Sequence, residues 1–194
     1  LSLGFEESSS IPIQRGGDQA AVLALMGLTP TEPGVTGIDR ALTAGAWFTE
    51  EREESVLLPE PLAKRLGIGP GDVGRATVAI FGQDWTVRGL YDPARYAAIK
   101  DLNDEPLTPA KQKFEQNFMP GMEQLTMSLY EADVDFDVSF EHLDPARIAI
   151  LPFNVVESMD APLFSVAVRF ADCVDCEALV QTFLSRTGFR TFVG

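Results

Sequence analysis

Residues 55–90 constrain the fold more than any other stretch, because strand, helix, glycine turn and hairpin follow one another with almost no slack between them. Residues 55–58 (SVLL) form a short apolar strand. Pro59-Glu60-Pro61 then opens a helix, since proline is tolerated in the first turn, where the backbone N–H has no partner to lose. Leu62, Ala63 and Leu66 recur at helical spacing on one face. Gly67 ends the helix as a left-handed residue, and 68–74 (IGPGDVG) is a glycine-rich turn. Residues 75–81 (RATVAIF) and 85–90 (WTVRGL) flank Gly82-Gln83-Asp84, which predicts a hairpin with a three-residue loop. Val78 and Ile80 on one arm and Trp85 and Val87 on the other alternate with less apolar neighbours, so one face of the pair is buried.

On either side the signals are sparser. Residues 1–19, rich in Ser, Gly and Glu, read as an irregular lead-in. Residues 20–28 (AAVLALMGL) predict a buried strand, closed by Thr29-Pro30 and Pro33-Gly34, and a short segment follows at 40–48. The character changes at 101–124: after a stretch with two prolines and two acids, 109–118 (PAKQKFEQNF) predicts an amphipathic helix. Strict alternation of acid and apolar side chains in 133–140 (DVDFDVSF) predicts a half-buried strand with a negative outer face. Residues 147–151 (RIAIL) read as a strand, followed by Pro152 and a helical turn to Met159. Residues 163–171 (LFSVAVRFA) are a further strand. Asp172 can cap a helix over 175–185 that turns Leu179, Val180, Phe183 and Leu184 inward. Gly188 stops it and 189–193 closes the unit. A β-α-β end after a strand-rich middle gives an α+β class.

Apolar residues make up 45% of the 194, enough for a core without disulfide staples. Fifteen basic against twenty-nine acidic side chains leave a net charge of -14. With no basic stripe to offset it, this excludes nucleic acid and makes anionic lipid a poor partner. No run of eighteen apolar residues is present to span a bilayer, and no signal-peptide pattern opens the chain. Leu1 in place of Met fits a piece of a longer protein as well as a processed one.

Several constellations invite a chemical reading. Cys173 and Cys176 form a CxxC at a helix start, where a thiolate is favoured, but Asp172, Asp175 and Glu177 surround it with like charge that raises a thiol pKa. The pair can close a local disulfide in an oxidising compartment, or stay reduced as two small hydrophobes. Zinc needs four ligands and finds only these two plus the distant His142. Asp133, Asp135 and Asp137 have the opening spacing of a calcium loop, but Val138 stands where that loop needs glycine. His142, the single histidine, must serve any Ser-His or Cys-His pair, and no Gly-x-Ser-x-Gly nucleophile motif occurs. The glycines around Asp72 lack the Lys-Ser/Thr of a phosphate loop. Catalytic, metal and cofactor sites are therefore not expected. Trp47, Phe48, Phe114, Phe118 and Met119 are candidates for a contact surface, with core burial as the competing role.

The run 45–92 (GAWFTEEREESVLLPEPLAKRLGIGPGDVGRATVAIFGQDWTVRGLYD) resembles the periplasmic core of MacB-like permeases, of the FtsX/MacB type of ABC transporter. Gly45, Phe48, residues 56–58, Ala63, Leu66, Gly67, Gly74, Val87 and Gly89 occupy that family's glycine and apolar positions. Ala46 departs from it, standing where the family has an arginine. The resemblance implies a discontinuous α+β, porter-like subdomain, here residues 1–40 and 146–194, interrupted by an inserted β-rich subdomain at 41–145. Residues 93–145 would be a variable excursion of the insert. It also implies a module without chemistry of its own, on the extracytoplasmic face of a bacterial membrane. The expected partners are transmembrane helices of the same permease chain, a cytoplasmic ABC ATPase and an extracytoplasmic protein. The competing expectation is a free-standing extracytoplasmic binding protein that grips a ligand between two subdomains.

Overall fold

Alternation along each strand decides which side chains turn inward, and register decides how the strands meet. In the computed structural model, residues 2–4, 10–100, 104–114 and 138–159 are described. The strands are β1 (Ser2–Gly4), β2 (Ile11–Arg15), β3 (Asp18–Val22), β4 (Ala24–Leu28), β5 (Leu42–Gly45), β6 (Ser55–Pro59), β7 (Thr77–Ile80), β8 (Gln83–Tyr91), β9 (Ala110–Phe114), β10 (Val138–His142) and β11 (Ile148–Pro152). Four short helices accompany them: α1 (Glu32–Thr36), α2 (Glu60–Arg65), α3 (Pro93–Ala97) and α4 (Phe153–Glu157). The class is mixed α+β, with one large mixed sheet.

That sheet runs β1-β4-β11-β6-β8-β7-β2-β3, with β5 added along β8. Only Leu23 separates β3 from β4, and its N–H donates to Arg147 O at 2.7 Å. The single run 18–28 therefore pairs with β2 through its first half and with β11 through its second. The run 18–28 thus belongs to both ends of the strand order, and the described strands close into a ring as a small barrel, with β1 and β5 attached beside it. Closure mixes parallel pairs (β4 with β11, β6 with β8) and antiparallel ones (β6 with β11, β7 with β8, β2 with β7).

Every strand of the ring contributes to the interior: Ile11, Ile13, Ala20, Val22, Leu25, Val56, Leu58, Val78, Ile80, Trp85, Val87, Leu90, Ala149 and Leu151 share one apolar cluster. Leu62, Ala63 and Leu66 of α2 join it. Gly67, at φ 63°, ends α2 while the Ile68 N–H reaches back to Ala63 O at 2.9 Å, a left-handed helix stop. The opposite faces of β4, β6, β8 and β11 carry a second cluster around Leu57, Tyr91, Ile148 and Ile150, covered by Ile38, Ala41, Phe48 and Tyr96. This two-sided burial explains why 55–58 and 148–152 read as unbroken apolar runs.

In that outer layer the Tyr91 hydroxyl lies 2.7 Å from Ile148 O and 2.9 Å from Pro145 O, tying β8 to β11. Burial pushes the Tyr91 phenol well above its usual range, and Tyr96 and Asp144 add to this. Glu32 of α1 is half-buried; loss of hydration raises its carboxyl, partly offset by a hydrogen bond from Thr36. A folded pKa above the unfolded value means the native state binds the proton more tightly, so this residue's contribution falls as pH rises through the carboxylate range. Glu32→Gln should thus have a higher melting temperature than the parent at neutral pH, and the gap should close below the unfolded carboxylate pKa. Thermal melts across that range check it.

Three expectations are corrected. The hairpin turn is the two residues Phe81-Gly82, not Gly82-Gln83-Asp84, because both adopt positive φ (51° and 78°) and let Ile80 pair directly with Gln83. The supposed lead-in contains β2 and the start of β3, since Ile11 and Ile13 point into the barrel and Gly16, at φ 58°, supports the tight turn between them. The described part of 109–118 is strand β9, not helix, because it pairs with β10 from Ala110 opposite His142 to Phe114 opposite Val138. The expected elements at 163–171, 175–185 and 189–193 lie outside the described residues.

Candidate functional site

The register between β6 and β8 slips by one residue: Val56 is opposite Val87, but Leu57 is opposite Gly89. Arg88 is the extra residue of this bulge. A bulge breaks alternation locally, so Val87 and Leu90 both face the barrel interior while Tyr91 faces the outer layer. The displaced Arg88 side chain instead organises the loop 46–54. Its Nε donates to Trp47 O at 2.8 Å and lies 3.1 Å from Glu53 Oε1; its Nη2 donates to Thr49 Oγ1 at 3.4 Å. Glu53 also accepts from the hydroxyls of Ser55 at 2.8 Å and Thr49 at 3.2 Å.

Further bonds fix the loop at its margins. Trp47 Nε1 donates to Thr29 O at 3.1 Å, the Ala46 N–H to Arg88 O, and the Thr86 N–H to Glu54 O. Phe48 is buried in the outer layer, with its ring 5.3 Å from that of Trp47. Glu51 Oε2 accepts from Asn154 Nδ2 of α4 at 2.9 Å, so the loop also touches the element that leads into the C-terminal segment. The result is a loop bonded along its length, presenting the exposed side chains of Glu50, Glu51 and Arg52.

Two glycines make this arrangement possible. Gly45, at φ 81°, ends β5 where a Cβ would collide with Arg88 O, Gly89 Cα and Val73 Cγ1. Gly89 sits where a Cβ would lie 2.9 Å from Leu57 Cδ2 and 3.0 Å from Ala44 O. Gly74, at φ 80°, donates its N–H to Val87 O, and the Val87 N–H donates to Ala76 O, which fastens the turn after α2 to β8. The structure therefore gathers Gly45, Phe48, Gly74, Val87 and Gly89 around β8, with Ala63, Leu66 and Gly67 packed in or capping α2 on the barrel. Arg88 was not singled out by sequence reasoning; its signal is a lone cation inside the apolar run 85–90.

The remaining candidates are more scattered. His142 Nδ1 lies 2.9 Å from Thr108 O, and Nε2 lies 3.4 Å from a Glu105 carboxylate oxygen, so the histidine fastens the base of the β9–β10 ribbon. Among the described residues, no three His, Cys, Asp or Glu side chains are grouped to hold a metal, and no helix is long and apolar enough to cross a membrane. An open cleft of about 360 Å³ lies on the outer face of β2 and β7, bordered by Gln14, Arg15, Arg75 and Asp84. The side chains of Phe114, Phe118 and Met119, the acids Asp133, Asp135 and Asp137, and the pair Cys173 and Cys176 lie outside the described residues.

Fold and site together define a mixed α+β domain whose most constrained surface feature is a loop locked to a bulged strand. No family model matches the chain, and no curated protein does. Among solved structures it is similar to the periplasmic region of MacB from Actinobacillus actinomycetemcomitans, at 13% identity and a TM-score of 0.46, over 93% of this chain and 64% of that one. The chain thus spans less than two thirds of that region's length.

Proposed function

We propose that this chain is the extracytoplasmic domain of an ABC-transporter permease of the MacB/FtsX type, which couples ATP hydrolysis in the cytoplasm to movement or export of a substrate outside the membrane. One observation carries the reading. The positions on which the sequence resemblance rests are spread over 45–89, and they meet as one physical unit: Gly45 against Gly89, Gly74 against Val87, and α2 beneath them on the barrel. A spacing of glycines and apolar residues is a family signature with physical content when each glycine answers a steric demand, as Gly45 and Gly89 do.

In this reading the domain does no chemistry itself, and ATP is hydrolysed by a separate nucleotide-binding subunit or domain. Its partners are transmembrane helices of the same permease chain, the cytoplasmic ATPase and an extracytoplasmic protein. The division into a porter-like unit (1–40 and 146–194) and an insert (41–145) belongs to the same proposal. Its support is the parallel pairing of β4 with β11, which joins residues 24–28 to 148–152 across the whole intervening stretch. Strands β6, β7 and β8 of the insert share that sheet, so the two units would be parts of one barrel-centred body rather than separate ones. Cys173 and Cys176 would close a local disulfide in the oxidising space outside the membrane. The test is the side of the membrane that this domain occupies in the full-length protein: exposed turns should be reachable in spheroplasts whose cytoplasmic membrane is intact.

A further inference from the structure

We draw no further inference here: the strongest candidate, the cleft of about 180 Å³ where Arg52, Gln83, Trp85 and Met159 meet between residues 52–54, the start of β8 and α4, carries none because its buried unpartnered donor, Trp85 Nε1, has no surface exposed to the cleft, and nothing in the structure shows what covers it.

Discussion

Gly45→Ala should lose more than about 4 kcal/mol of folding stability, among the largest effects a single methyl group can have. The new Cβ would sit in the space of the Arg88 carbonyl oxygen and 2.7 Å from both Gly89 Cα and Val73 Cγ1. Two of those three atoms are backbone in the bulged region of β8 and cannot swing away. The residue would also hold φ 81°, which costs alanine about 1 kcal/mol by itself. Against a typical total of about 5–15 kcal/mol, the variant should melt some 10 °C or more below the parent, or fail to accumulate. Gly74→Ala separates the two causes. It has nearly the same φ, 80°, but nothing within 4 Å of the new methyl group. It should cost only about 1 kcal/mol, or about 2–4 °C. Equal losses in the two variants would show that backbone conformation, not the crossing of β5 over β8, makes Gly45 necessary.

Arg88→Ala should have the second largest effect, about 2–3 kcal/mol. The side chains of Arg88 and Glu53 are 29% and 15% exposed, so their pairing lies between a buried ion pair and a surface one. Truncation also takes the charged donor from the Trp47 carbonyl. The loss should be local: backbone amides of 46–54 should exchange with solvent faster, while those of β6 and β11 keep their protection. Arg88→Lys should recover only part, because an ammonium cannot reach the Trp47 carbonyl, Thr49 and Glu53 with one planar fork. Adding Glu53→Gln to Arg88→Ala should restore some stability by removing the unpaired carboxylate. Uniform loss of protection through the barrel would mean that Arg88 supports the core rather than the loop.

How much of this was legible in the sequence depended on how local the deciding interaction is. The arms of the β7–β8 hairpin were readable because Val78, Ile80, Trp85 and Val87 alternate, and α2 because its apolar face and its glycine stop lie within a few residues of each other. The turn was misjudged because Phe81 takes a conformation its own chemistry disfavours. Strand β2 was hidden by the Ser, Gly and Glu that surround it in 1–19, although Ile11 and Ile13 alternate with exposed Pro12 and Gln14. Residues 110–114 read as helix by local propensity, and pairing with β10 overrode it. Barrel closure left no local trace at all: it requires 18–28 to find β2 on one side and β11, more than a hundred residues on, on the other. The site was half legible. Its glycines stood out as turn signals, but the bulge that turns Arg88 onto the loop exists only in the register between β6 and β8.

The central claim concerns which side of a membrane this domain occupies, and the turn between β2 and β3 offers the handle. A Cβ at Gly16 or Gly17 would meet nothing within 4 Å, so a short epitope inserted between them should be tolerated. In the full-length protein expressed in its own cell, antibody should bind this epitope on intact spheroplasts as strongly as after lysis, and the protein should stay in the membrane through alkaline carbonate washing. Binding that appears only after lysis, or release of the protein by carbonate, would contradict an extracytoplasmic permease domain.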